Sequence, residues 1–313
     1  MIHSSPDEAH QPPMRRIRSK LFDVALVLWT ALFAPAAVAL ALCGTPERAV
    51  RRTARAWARG TLRRLGWCVG LTYVEEGQEN IPTEPCLIVA NHQSTWETFA
   101  FLALMPDVAI VAKQELLGIP VFGWFLRNAP MILIDRESGT KAVRKMVDES
   151  RTALAGGRSV LIFPEGTRRS ASAKIEFKRG IEILYTRLGC RVLPVSVNSG
   201  HFWAPDRPYK RSGTIWVNYL GTIEPGLGAA EFTRQSQAVL DRARRNAVGE
   251  LCAALIQDKR PGWASCALPC GNRSPAQTDR GRTPRGRACR PGNLPRRVDE
   301  LLGRLLPADR NHR

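Results

Sequence analysis

The segment Asn91-His92-Gln93-Ser94-Thr95-Trp96-Glu97 follows directly on the apolar run Cys86-Leu87-Ile88-Val89-Ala90. A histidine therefore leaves the end of a buried strand, and a carboxylate enters as a helix begins. A neutral imidazole accepts a proton at little cost near neutral pH. A carboxylate on its other ring nitrogen would fix the tautomer, as in a serine-protease triad. If the substrate brings its own hydroxyl, such a pair can deprotonate it for direct attack on an activated carbonyl, with no serine or cysteine nucleophile. Two plainer readings stay open: a structural histidine at a strand end, and an acid favoured by the dipole of the first helical turn.

Two later apolar runs also end in polar residues, Ile134-Asp135-Arg136 and Phe163-Pro164-Glu165-Gly166-Thr167-Arg168-Arg169. Arginine offers forked donors that match phosphate oxygens, so Arg136, Arg168 and Lys178 can bind a phosphomonoester if their loops converge. Backbone amides of the Glu165–Arg168 turn and the Thr167 hydroxyl could face the same anion. Structural salt bridges among Asp135, Arg136, Glu165 and Arg168 fit the same residues. The apolar loop at 113–125 can shield an acyl chain, touch a bilayer or cap the core.

Short apolar runs at 86–90, 108–112, 131–134, 159–163, 192–197 and 214–219 read as strands, and 95–104, 141–154 and 177–188 as helices. This pattern predicts an α/β fold. Polar residues cluster where the strands end, the carboxyl edge at which open α/β sheets bind ligands. Leu193-Pro194-Val195 opens a late strand near that edge.

Residues 24–43 contain no charged side chain and are numerous enough to cross a bilayer. Arginine and lysine flank both sides, so charge assigns no orientation, and a spanning helix, a re-entrant hairpin bent near Pro35 and an in-plane anchor all fit. A secretory signal or lipobox ending at Cys43 is less apt, because the apolar core is long and Leu42 is bulky. Residues 51–68 mix arginines with Ala54, Trp57, Leu62, Leu65 and Trp67, which suits either a headgroup-seated helix or one packed on the main domain.

The chain of 313 residues carries a net charge of +18, so it favours acidic partners: nucleic acid, an anionic membrane or a phosphorylated substrate. No nucleic-acid module is recognisable. The eight cysteines show neither a disulfide framework nor zinc spacing, and reduced thiols are expected, including Cys266 and Cys270. Composition divides the chain into a basic segment at 1–20, a membrane-associated helical segment at 21–70, a catalytic-type domain at 71–257 and an Arg/Pro/Gly-rich tail at 258–313, read as disordered.

Taken in order, Asn91-His92 with Glu97, Ile134-Asp135-Arg136, Phe163-Pro164-Glu165-Gly166-Thr167-Arg168 and Leu193-Pro194-Val195 resemble the motif blocks of the glycerolipid acyltransferases, specifically the bacterial PlsC-type 1-acyl-glycerol-3-phosphate acyltransferase family. The resemblance covers about residues 70–222. It implies a mixed sheet flanked by helices, and acyl transfer from acyl-CoA or acyl carrier protein to lysophosphatidic acid, with no further cofactor and no metal, at the cytoplasmic side of the inner membrane. By the same resemblance His92 is the general base and Glu97 its orienter, while Arg136, Glu165, Gly166, Thr167 and Arg168 bind the glycerol phosphate. The family's usual acid in the first block is aspartate, so Glu97 bears on substrate choice. Two other functions fit the residues: the same chemistry on a lyso-ornithine lipid or lysophosphatidylcholine, and a membrane-anchored basic binding protein.

Overall fold

The computed structural model describes residues 13–105, 107–135 and 138–257, with backbone alone over 247–257. Arg136, the tail at 258–313 and the cysteines within that tail lie outside the described residues. The chain opens with three helices, α1 (Pro13–Ala31), α2 (Ala34–Leu42) and α3 (Glu47–Val69). The alternating part follows as β1 (Leu71–Glu76), β2 (Leu87–Ala90), α4 (Trp96–Leu104), β3 (Val108–Lys113), α5 (Phe122–Asn128), β4 (Ile132–Ile134) and α6 (Thr140–Ala155). It continues through β5 (Ser159–Ile162), α7 (Arg179–Leu188), β6 (Val192–Val197) and β7 (Gly213–Tyr219) to α8 (Ala229–Gln257).

The strands form one seven-stranded sheet in the order β1-β7-β6-β2-β5-β3-β4. All neighbours are parallel except β6 and β7, so the sheet is mixed, as the resemblance implies. Every residue of β2 is buried, as expected where helices cover both faces. Successive side chains point to opposite faces. Ile88 and Ala90 join the cluster that holds Trp57, Leu62 and Leu65 of α3 and Trp96 and Phe99 of α4. Leu87 and Val89 join the opposite cluster with Met146 of α6, Leu184 of α7 and Phe232 of α8. The centre of the sheet is thereby clamped, and its carboxyl edge stays fixed.

The apolar run at 24–43 is divided by a turn at Leu32 and Phe33. Pro35 has no N–H to offer the carbonyl of Ala31, so the hydrogen-bond ladder of α1 is interrupted there and α2 begins at Ala34. One face of α1 packs inward: Phe22 is fully buried, Trp29 Nε1 donates to Trp57 O at 3.0 Å, and Lys210 Nζ pairs with Asp23 at 2.6 Å. The other face shows solvent-exposed Met14, Ile17, Leu21, Val24, Leu28 and Leu32. That spacing of three and four residues makes a single apolar stripe.

Of the two readings left for residues 51–68, packing on the domain prevails: α3 buries Val50, Ala54, Trp57, Leu62 and Leu65, and leaves Trp67 exposed. Three elements are missing from the sequence-based pattern. β1 is amphipathic and short of apolar residues, α8 has a diffuse pattern, and α5 lies in the stretch read as a loop. Glycine and aromatics give α5 weak intrinsic helicity, yet Phe125 and Leu126 are buried in it, Phe125 beside Val50 and Ala54 of α3. Tertiary burial outweighs propensity there.

Candidate active site

The site is built where β2, β5 and β6 end side by side. Beyond β2, the side-chain amide of Asn91 clamps β6 twice, Nδ2 donating to Val197 O at 2.9 Å and Val197 N donating to Oδ1 at 2.8 Å. Both backbone groups of His92 are held by the loop after β5. Its N–H donates to Glu165 Oε1 at 3.2 Å, and its carbonyl accepts from Arg169 N at 2.8 Å. The ring stacks on Phe163 with centroids 4.1 Å apart and planes 18° from parallel. The imidazole therefore has little freedom to swing.

His92 Nδ1 lies 3.2 Å from Glu97 Oε2. Glu97 is completely buried in the first turn of α4, and a buried carboxylate must be supplied with donors. Ser94 N donates to Oε2 at 2.8 Å, Gln93 N to Oε1 at 3.3 Å, and the hydroxyl of Ser199 to Oε1. With the Nδ1 proton in the hydrogen bond to Oε2, both carboxylate oxygens are supplied with donors. Nε2 is then left with its lone pair on a side chain 17% exposed, the geometry of a base open to substrate.

Glu165 is only 2% exposed, and burial pushes its carboxyl up to about 7. The His92 N–H, Arg169 and Arg244 oppose that rise, while Glu97 adds to it. In this structure Glu165 joins the loop after β5 to the histidine segment. Gly166 takes φ +69°, with its N–H on Phe163 O at 3.1 Å, a turn that a side chain would strain. Arg168 is exposed, and its Nη1 donates to Thr95 Oγ1 at 2.7 Å beside the start of α4. Thr167 is exposed on the same loop, and Lys178 is exposed at the start of α7, where its backbone N–H reaches Pro164 O at 2.9 Å.

The fold thus gathers His92, Glu97, Glu165 and Arg168 on one edge, with Gly166 shaping the loop and Lys178 linked to it through backbone. Sequence reasoning missed Ser199, Asn91 as a clamp, the Phe163 ring and Gln93, whose Oε1 accepts from Gly200 N at 3.1 Å. The one available signal was the small polar run Asn198-Ser199-Gly200 directly after a buried strand. Among the described residues no group of three or more His, Cys, Asp or Glu is placed to hold a metal ion.

An α/β domain with a histidine–carboxylate pair at its carboxyl edge is the class defined by these features. Residues 73–198 match the family model described as Acyltransferase. The chain is 37% identical over 174 residues to the 1-acyl-sn-glycerol-3-phosphate acyltransferase of Pseudomonas aeruginosa, a match over 56% of this chain and 65% of that one. It is 29% identical over 178 residues to the human 1-acyl-sn-glycerol-3-phosphate acyltransferase beta, over 53% of this chain and 64% of the relative. The matched part therefore spans just under two thirds of these relatives. The crystal structure of the 1-acyl-sn-glycerophosphate acyltransferase PlsC from Thermotoga maritima shares the fold, with a TM-score of 0.60 at 24% identity over 74% of this chain and 97% of that one.

Proposed function

We propose that this protein transfers an acyl group from acyl-CoA or acyl carrier protein to the free hydroxyl of 1-acyl-glycerol-3-phosphate, giving phosphatidic acid. The observation that carries this reading is the buried Glu97 carboxylate on His92 Nδ1, which leaves Nε2 as a base. Nε2 removes the proton of the acceptor hydroxyl as its oxygen bonds to the thioester carbon. The tetrahedral intermediate collapses with loss of the C–S bond, and the imidazolium returns the proton to the departing sulfur. The thioester is already activated, so the step asks for no metal or further cofactor. The matching relatives carry this activity in their names, which supports the same acceptor here.

Arg168, beside Thr95 at the start of α4, is the described cation best placed for the acceptor's phosphate; Arg136, Thr167, the Gly166 turn and Lys178 complete the set in our reading. The exposed stripe of α1 and α2 lies in the bilayer interface, so that a lyso-lipid reaches the sheet edge without fully leaving the membrane. We assign the domain to the cytoplasmic face of the inner membrane, a reading supported by the free thiols of Cys43, Cys68, Cys86 and Cys190.

The test supplies the purified protein in detergent micelles with one acyl-CoA and, in turn, lysophosphatidic acid, lyso-ornithine lipid and lysophosphatidylcholine. Lysophosphatidic acid is expected to be the best acceptor. Turnover that is poorest with it would remove this substrate assignment.

A further inference from the structure

The loop at 198–212 connects β6 to β7 and begins with the serine and glycine that contact Glu97 and Gln93. Its tip at 205–208 is exposed, whereas Lys210 on the return is buried, with a side chain only 4% exposed. An ammonium taken out of water is costly unless it is paired. Lys210 finds its partner on α1, where Nζ lies 2.6 Å from Asp23 Oδ1. The same ammonium stands 4.6 Å from the ring centroid of Trp203 and 5.1 Å from that of Phe22, within the range of a cation–π contact. Its backbone is tied to the same helix, the N–H donating to Ser19 Oγ at 3.2 Å and the carbonyl accepting from Arg15 Nε at 3.4 Å. Arg15, Ser19, Phe22 and Asp23 follow one another at helical spacing and so form one face of α1.

From this fastening the contacts run to the catalytic pair. Trp203 stands against Lys210 and two aromatic rings: Phe22 of α1, with centroids 5.8 Å apart and planes 84° from parallel, and Phe99 of α4, at 6.2 Å and 47°. Phe99 belongs to the helix whose first turn carries Glu97. The Trp203 N–H donates to Ser199 O at 2.9 Å, and the Phe202 N–H to the same oxygen at 3.0 Å. Arg211 N returns to Phe202 O at 2.8 Å, which closes the loop next to Lys210. The backbone of Ser199 is thus held from the side of α1, and its hydroxyl donates to Glu97 Oε1. Long loops are where a chain has most conformations open to it. A hydroxyl at the start of one therefore stays on a buried carboxylate only if the loop is held.

We infer that Lys210 is a positioning residue for the acyl transfer: by seating the 198–212 loop on α1 through Asp23 and Trp203, it keeps the Ser199 hydroxyl on Glu97 and so keeps that carboxylate on His92 Nδ1. This rests on the acyl-transfer reading. Lys210 acts through Ser199 and touches no reacting atom. A lysine that only fastened α1 to the domain would bear on stability or membrane binding and leave the dyad as it is, so the two roles differ in what they do to turnover.

The test is steady-state kinetics of the full chain in detergent micelles, with one acyl-CoA and lysophosphatidic acid. Lys210→Met and Asp23→Asn are each made in the wild type and in a Ser199→Ala background. Both substitutions keep much of the side chain's shape and remove one charge of the pair. For Lys210→Met a kcat about tenfold below wild type is expected with the acceptor KM unchanged, and for Asp23→Asn a loss of about threefold or more in the same direction. In the Ser199→Ala background the hydroxyl is already gone, and each substitution should lower kcat by less than about twofold further. An unchanged kcat in a folded variant, the full loss repeated in the Ser199→Ala background, or a raised acceptor KM at wild-type kcat would overturn the inference. The Asp23 side chain is 43% exposed, so Asp23→Asn decides if Lys210→Met folds poorly. Absence of turnover in the wild type would strike the acyl-transfer reading, and this inference with it.

Discussion

Ser199 donates its hydroxyl to Oε1 of Glu97, while His92 Nδ1 faces Oε2 of the same carboxylate. The loop after β6 is thus joined to the histidine through one buried acid. The serine touches no reacting atom in the proposed step. It positions the acid that positions the base.

Replacing Ser199 with alanine leaves one oxygen of a fully buried carboxylate short of a donor, at a cost of about 1.5–3 kcal/mol for a hydrogen bond to a charged group. Turnover should fall roughly ten- to hundredfold with little change in the acceptor KM. In a His92→Ala background the same change should cost almost nothing, because its effect runs through the imidazole. A full additive loss in the double variant would show that Ser199 acts elsewhere.

His92→Ala should lower kcat by about 10²–10⁴-fold, the usual contribution of a positioned general base. Circular dichroism should be that of wild type, since the ring stacks on Phe163 at the sheet edge and the backbone contacts to Glu165 and Arg169 do not need it. Wild-type turnover in this variant would eliminate the mechanism.

Glu97→Asp withdraws the carboxylate by one methylene while its Cα stays in the first turn of α4. One shortened arm cannot reach His92 Nδ1, the two backbone amides and Ser199 together. A loss of about tenfold or more in kcat is expected, partly regained if the helix start shifts. An aspartate variant as fast as wild type would mean that the longer side chain of this protein has no positioning role.

Glu165 binds its proton more tightly when folded, up to about 7 against an ordinary carboxylate. In the interval between the unfolded and folded values the native state holds the extra proton. Stability therefore falls as pH rises through that interval and is lowest, from this group, above about 7. The full span corresponds to about 3 kcal/mol. Glu165→Gln keeps an oxygen for the His92 N–H and should flatten the decline, so that the variant exceeds wild type in Tm at pH 8 but not at pH 5. Parallel Tm curves for the two proteins would contradict the assignment.

The apolar stripe on α1 predicts a change in membrane binding. Leu21→Glu with Leu28→Glu puts two charges on exposed positions of one face and should move the protein from sedimenting vesicles to the supernatant. Unchanged vesicle binding would place the membrane contact on another surface.

Much of this was legible in the chain itself. Periodicity placed the strands at 86–90 and 192–197 within a residue or so of β2 and β6, because buried parallel strands read as continuous apolar runs. His92, Glu97 and Arg168 stood out as polar residues at strand ends, and the apolar run before the domain was plain. β1, α5 and α8 were not, since their hydrophobic pattern is weak and packing alone decides them. Which of the open alternatives held for residues 51–68, and where the helix of the apolar run is interrupted, also awaited the packing of α3 and the turn at Leu32 and Phe33.

The sequence by itself determined the class of fold, the edge of the sheet that would carry the site and the residue types that would do its chemistry. These follow from local periodicity and from order along the chain. Only the tertiary structure decided that Glu165 grips the backbone of His92 and that Ser199 completes the set of donors on Glu97. Residues 73 to 107 positions apart in sequence make those contacts, for example Glu165 with His92 and Gly200 with Gln93. Such pairings depend on strand order within the sheet, which local patterns in sequence do not encode.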